Sequence, residues 1–224
     1  MELPPTLRQA VDRTLTGIAL ADLAQAASLL SRRYRAEIRD GNFHLADDMA
    51  ALAYLATRLP ATYAAIRAAM TAAAERLPDF APRSLLDVGA GPGSALWAAS
   101  DTWPDLDDAL LIEGSAAIRG QGEKLAIASS VSRIAWRDGD VTGDWPALLP
   151  AGSPSHDLVT LAYVLDELAP PARDRLVERL WAATGGLLLL VEPGTPAGWE
   201  RILAARQLLI AAGAVLVAPC PHAA

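Results

Sequence analysis

The chain is predicted to be an α/β protein. It should hold a parallel sheet with helices on both faces, preceded by an all-helical N-terminal region. Three observations carry this. From residue 83 onward, short apolar runs alternate with helical patterns, as expected where a parallel sheet is joined by crossover helices. Residues 5–80 are rich in Ala, Leu and Arg and almost free of β-branched runs, a composition that favours successive helices. Between the two, Ser84-Leu85-Leu86-Asp87-Val88-Gly89-Ala90-Gly91-Pro92-Gly93-Ser94 reads as a buried strand entering a glycine-rich turn and then a helix.

Taken in order, Pro4 and Pro5 precede a first helix that reaches Leu15 and breaks at Thr16-Gly17. A second helix is expected over 21–39, stopped by Asp40-Gly41-Asn42, and a third over 45–58. Pro60 opens a fourth, which runs to 77. Pro78 and Pro82 mark a boundary, so a helical domain covers 1–80 and a sheet domain covers 81–224. Strands are expected over 85–88, 109–112, 134–137, 158–162, 187–191 and 214–217. The last 18 residues carry no formal charge, but Gly213, Pro219 and Pro221 interrupt them, which reads as helix then strand and not as a membrane span.

A single cysteine excludes a disulfide framework and suits a reducing, cytoplasmic setting. Half the residues are apolar, enough for one sizeable core. The net charge of −7 is unevenly placed. Residues 1–80 hold nine arginines and nine acids, whereas 81–224 hold nine arginines and one lysine against 17 acids. That balance argues against non-specific nucleic-acid binding by the sheet region. Arg32, Arg35 and Arg39 fall near one face of the second helix with Arg33 beside them and Tyr34 interleaved. They read either as contacts to RNA phosphates or as a solvated face near Glu37 and Asp40. His44, just past a helix stop, reads as a cap or surface residue.

The glycine turn is the centre of the chemistry. Gly89, Gly91 and Gly93 let backbone N–H groups approach a ligand, and the following helix aims its positive end there. A dinucleotide turn requires G-x-G-x-x-G, and here Ser94 stands where the third glycine would be. In an open α/β sheet, ligands bind beyond the carboxyl ends of the strands, beside strand one. Acids stand there in phase: Asp87 in strand one, Glu113 at the end of strand two, and Asp140 after strand three. A carboxylate at Glu113 suits ribose hydroxyls, and Asp140 or its neighbouring amide suits the adenine edge. Each acid alone also reads as a helix cap or a solvated loop end. After strand four, Asp166 and Glu167 read as bases or as openers of the next helix, and Tyr163 as a cofactor contact or a core aromatic.

Asp-x-Gly-x-Gly-x-Gly, at Asp87 to Gly93, resembles motif I of the class I S-adenosyl-L-methionine-dependent methyltransferases. The resemblance implies a Rossmann-like class I methyltransferase sheet. It also implies a cofactor site at Asp87, Gly89, Ala90, Gly91, Gly93, Glu113, Gly114, Asp140, Val141, Ala162 and Tyr163. The Asn/Asp-Pro-Pro-Tyr/Phe motif of amino-group methyltransferases is missing after strand four, and no cysteine lies there to attack a pyrimidine carbon. No catalytic residue is assigned.

Together, the helical N-terminal domain, Leu85 to Ser94, Glu192-Pro193-Gly194-Thr195-Pro196 and Ala218-Pro219-Cys220-Pro221-His222 resemble the methyltransferase-like proteins associated with the small ribosomal subunit, known from mitochondria and with bacterial relatives. The resemblance implies binding to small-subunit ribosomal RNA (rRNA) or its precursor, in assembly or translation. It also implies an iron–sulfur cluster with Cys220 as a metal ligand, but one thiolate cannot hold a cluster, so the cluster is not expected in this chain. The C-terminus reads as incomplete, with the family's seventh, antiparallel strand absent. An exposed sheet edge and a tendency to self-associate follow from that. Three readings stay open: a methyltransferase acting on rRNA, a non-catalytic assembly factor that keeps the fold, and a small-molecule methyltransferase.

Overall fold

The computed structural model describes residues 2–35, 45, 47–141, 143, 148–149 and 152–219. Four helices come first: α1 (Pro5–Leu15), α2 (Leu20–Arg35), α3 (Asp48–Thr57) and α4 (Leu59–Arg76). The Asp47 carboxylate opens α3 by accepting from Ala50 N at 2.8 Å, and Pro60 sits in the first turn of α4. The sheet region follows as β1 (Ser84–Val88), α5 (Ser94–Thr102), β2 (Asp108–Glu113), α6 (Ala116–Ala126), β3 (Arg133–Asp138) and β4 (His156–Ala162). It ends with a short 3-10 turn (Leu165–Glu167), α7 (Pro170–Ala182), β5 (Thr184–Val191) and α8 (Pro196–Ala211). No single helix among the described residues is long and apolar enough to cross a membrane.

The five strands are parallel in the order β3-β2-β1-β4-β5, a Rossmann-like sheet with helices on both faces. β1 is central, and the chain steps outward from it on one side and then on the other. The carboxyl ends of β1 and β4 therefore face a crevice that no crossover fills. Alternation along β1 splits its residues between two cores. Leu85 joins one that includes Leu7, Tyr63, Ile66 and Met70 of the N-terminal helices; Leu86 and Val88 join the other, with Leu176, Leu180 and Leu209.

The boundary expected at residue 80 falls in the linker between α4 and β1, but the hydrophobic core runs across it. Met70, Tyr63 and Ile66 of α4 pack in one cluster with Leu96, Trp97 and Ala99 of α5. A polar clasp closes the same junction. Tyr63 Oη donates to Asp101 Oδ2 at 2.8 Å, and Arg67 Nε reaches the same oxygen at 3.0 Å. Burial and the Asp101 carboxylate push the Tyr63 hydroxyl up to about 12, so it stays a donor at any physiological pH.

Two expectations need revision. Residues 214–217 do not form a strand. Gly213 ends α8 with φ +89°, and the Gly213 and Ala214 N–H groups turn back to Ile210 and Leu209 of the helix. Only four residues then remain before Pro219, which has no N–H to give a ladder. β5 is thus the outer strand among the described residues. Asp166 and Glu167 do not open the next helix either, because α7 starts at Pro170 and they occupy the 3-10 turn before it. The expected stop at Asp40-Gly41-Asn42, together with Arg39, His44 and Cys220, lies outside the described residues.

Met70 is fully buried at the α4–α5 junction. Met70→Ala should lower stability by about 2–5 kcal/mol in urea unfolding, with one cooperative transition. Two separated transitions would show that the helices fold as an independent unit.

Candidate functional site

The turn after β1 owes its path to three left-handed glycines, with φ of +67° at Gly89, +54° at Gly91 and +84° at Gly93. The reason differs at each. A Cβ on Gly89 would sit 2.4 Å from Val164 Cγ2, whereas a Cβ on Gly91 would meet nothing within 4 Å. Gly89 is therefore a packing requirement and Gly91 leaves open space. Gly93 caps α5. Gly89 N and Ala90 N both donate to Ile112 O, at 2.9 and 3.1 Å, so the turn continues the β1–β2 ladder.

Glu113 fastens this turn. Its Oε2 accepts from Gly91 N at 2.8 Å and its Oε1 from Ser115 N at 2.7 Å. Burial pushes the Glu113 carboxyl up, and the two N–H groups and Arg119 oppose that shift. Each oxygen keeps a lone pair for a further donor such as a hydroxyl. Arg119 Nη1 anchors the strand end by donating to Glu113 O at 2.6 Å and Asp138 Oδ1 at 3.0 Å.

A narrow cleft of about 100 Å³ opens above the turn. Gly89 and Gly91 line it from β1, Glu113 and Gly114 from β2, Val141 from the segment after β3, and Ala162 and Tyr163 from the end of β4. Asp87 and Ala90 line a recess of about 30 Å³ beneath. Asp140 is exposed; its neighbours Gly139 and Val141 face the cleft in its place. Gly93 lines neither space. It caps α5, and a Cβ there would lie 3.6 Å from Trp136 and 3.7 Å from Leu111.

Asp87 is the most unusual group. It is 2% exposed, and its Oδ1 accepts from Thr160 Oγ1 at 2.6 Å. Its Oδ2 is buried without a hydrogen-bond partner, and Ser94, which interacts with Tyr54, lines the same recess. Burial, reinforced by the nearby Glu113 and opposed by Thr160, pushes the Asp87 carboxyl up to about 7. Glu167, at the other side of the cleft, is pushed up to about 8 by burial and by Asp166, Glu113, Asp140 and Glu192. A cavity edge rich in carboxyl groups can hold a cation and can accept from hydroxyls.

Several contributors were not visible in the sequence. Leu45, Tyr54 and Thr62 bring the helical region to the site, and Tyr54 Oη pairs with Thr62 Oγ1 at 3.1 Å. Tyr54 and Thr62 lie in α3 and α4, which carry no motif, and Leu45 lies just before α3. Thr160 sits directly beside Asp87 in the β1–β4 register and is the one polar residue in the apolar run Leu158–Ala162, a signal that was available. Tyr163 adopts φ +61°, a left-handed conformation rare for a bulky residue.

Sheet order, glycine turn and phased acids define a protein of class I methyltransferase type. Similar folds occur in an O-methyltransferase family protein from Burkholderia thailandensis, at TM-score 0.57 and 14% identity over 79% of this chain and 55% of that one. They occur also in human N-acetylserotonin methyltransferase, whose structure contains SAM, at TM-score 0.50 and 17% identity over 74% of this chain and 48% of that one. The chain belongs to the Rsm22 family, described as mitochondrial small ribosomal subunit Rsm22, whose model matches residues 48–224. It is 32% identical over 216 residues to the human mitochondrial ribosome assembly protein METTL17, covering 90% of this chain and 47% of that protein. The chain thus spans about half the length of that curated relative.

Two outcomes follow from the site. Gly89→Ala should cost more stability than Gly91→Ala, because only the former meets a side chain; the latter should cost about 1–2 kcal/mol from backbone strain alone. Equal losses in urea unfolding would contradict this. Asp87 is raised in the folded state from an ordinary value near 3.8 to about 7. Between those values the folded chain holds a proton that the unfolded chain has released, so stability falls as pH rises through the window. The stability difference between wild type and Asp87→Asn should change by about 1.4 kcal/mol per pH unit there. Parallel pH profiles would place the Asp87 titration elsewhere.

Proposed function

We propose that the chain binds S-adenosyl-L-methionine in this cleft and serves small-subunit ribosome assembly, with methylation of the subunit's RNA as its activity. The observation that carries the cofactor reading is the buried Asp87 carboxylate, whose Oδ2 has no hydrogen-bond partner, below the open face of Gly91. That oxygen suits the ammonium of an amino-acid end, and the ionised Asp87 that burial disfavours is restored by a bound cation. Glu113 would hold the ribose and the Gly139–Val141 segment the adenine. When bound, the cofactor supplies an electrophilic methyl group; the chain's part is to orient it. The cleft alone is smaller than pockets that usually hold such a ligand. Loading therefore requires the Leu45 and Tyr54 side chains, which line it, to yield. Membership of a family described as a small-ribosomal-subunit protein, and the likeness to a mitochondrial ribosome assembly protein, support the assembly role.

A second reading keeps the fold as a binding surface without catalysis. The residues at and after the end of β4, Ala162-Tyr163-Val164-Leu165, favour it, because they lack an amino-group methyltransferase motif. On that reading the partner is the small subunit itself, and the outer edge of β5 supports self-association.

The deciding experiment is calorimetric titration with S-adenosyl-L-methionine, alongside sedimentation with small-subunit particles. Asp87→Ala should weaken cofactor binding by about one to two decades, since a hydrogen bond to a charged group contributes about 1.5–3 kcal/mol. Absence of binding by the folded wild type, with co-sedimentation intact, would select the non-catalytic reading.

A further inference from the structure

One wall of the cleft is the loop that leaves β4. Ala162, Tyr163, Val164 and Glu167 line the space from this side. Val164 also sets the fit to the glycine turn, since a Cβ on Gly89 would come within 2.4 Å of its Cγ2. The loop is not relaxed. Tyr163 has φ +61°, and it is the one non-glycine residue with positive φ among the described residues. A bulky side chain disfavours that conformation, so the surroundings must impose it.

The end of β5 imposes it through two acceptors. Tyr163 N donates to Val191 O at 2.8 Å, and Leu165 N donates to Glu192 Oε1 at 3.2 Å. The loop is thus pinned on both sides of Val164. Leu165 is 2% exposed, so its N–H would be a buried orphan without Glu192. Glu192 is itself fixed. Its Oε2 accepts from Arg201 Nε at 2.7 Å, and the two side chains are 2% and 5% exposed. Thr195 Oγ1 caps α8 by accepting from Gly198 N at 3.1 Å, and a Cβ on Gly198 would fall 2.1 Å from Pro193 O. The Glu192-Pro193-Gly194-Thr195 motif is therefore packed tightly between strand and helix.

A buried ion pair of this kind is weak evidence for stability, because well-packed apolar side chains of similar volume often do as well. What they cannot supply is an acceptor for Leu165 N. Glu192 is absent from the lining of the cleft and of the recess beneath it. Any effect on a ligand must pass through the loop. We propose that Glu192 is a positioning residue: held by Arg201, it fixes the strained loop after β4 and so sets Tyr163, Val164 and Glu167 for binding in the cleft. The proposal rests on the cofactor reading above for the identity of the ligand.

The test separates the acceptor from the ion pair. Glu192→Met with Arg201→Met removes both. Glu192→Gln with Arg201→Met removes the charges and keeps a carbonyl oxygen for Leu165 N. Hydrogen exchange at the Tyr163 and Leu165 amides, read by NMR on the full chain, should be more than about tenfold faster in the first pair variant and within about threefold of wild type in the second. S-adenosyl-L-methionine, titrated by calorimetry, should bind about tenfold more weakly to the first and within about threefold of wild type to the second. The strain gives a readout that needs no ligand. Tyr163→Gly should unfold at higher urea than Tyr163→Ala, and the gap should shrink when combined with the first pair variant, where the loop can relax. Unchanged exchange in the first pair variant, faster exchange with unchanged cofactor affinity, or equal urea midpoints for Tyr163→Gly and Tyr163→Ala would each overturn the proposal. So would equal losses in both pair variants, which would assign the effect to the ion pair. Should the first pair variant fail to fold, Glu192→Asp, which keeps the charge on a shorter side chain, is read for exchange and affinity in the same way. A wild type that binds no cofactor, with exchange and midpoints as expected, would uphold the hold of Glu192 on the loop and remove the cofactor reading.

Discussion

The site depends on one carboxylate crossing between two strands. Glu113 stands at the end of β2, yet its Oε2 is spent on Gly91 of the turn after β1. Without it, that N–H would point into a cleft with no partner, and a turn of three left-handed glycines would have little else to define it. The second oxygen returns to Ser115 of its own loop, and Arg119 holds the strand end from behind. A residue that reads as a ligand contact is thus first a structural brace.

The sheet was legible because its period and its turns agree: the apolar runs are short and bounded, and most of them alternate with helical patterns. The strand centres sit where the alternation puts them, and the acids Asp87 and Glu113 sit at the strand ends that line the cleft and the recess beneath it. Two kinds of feature escaped. Residues 214–217 have strand composition, but composition does not say whether a neighbouring edge is in reach, and the backbone of Ala214 turned back to α8. The other omission is the contribution of α3 and α4. Tyr54 and Thr62 carry no motif; they matter because helix packing sets them over the glycine turn, and that depends on long-range contacts.

Electrostatics gives the cleft a consistent character. Asp87, Glu113 and Glu167 all have carboxyl groups raised by burial and, for Asp87 and Glu167, by one another's neighbours. Such a group costs stability when ionised and empty, and a bound cation relieves the cost. Glu192 follows different logic, because Arg201 is already its counter-ion inside the protein. Breaking that pair from one side would leave a buried charge, a change of several kcal/mol by general experience with buried ion pairs. The two acids at the strand ends thus line open space, whereas the one after β5 is paired inside the protein.

The shared core has a consequence for how the chain is made. α4 is synthesised before any of the sheet, yet its buried face of Tyr63, Ile66, Met70 and Ala73 packs mainly on elements that come later, α5 among them. During synthesis that apolar stripe leaves the exit tunnel with only the earlier helices beside it until β1 and α5 follow. The N-terminal helices must wait, partly solvated, for the segment that completes them, so a pause placed just after residue 76 would expose this stripe to chaperones and to other nascent chains.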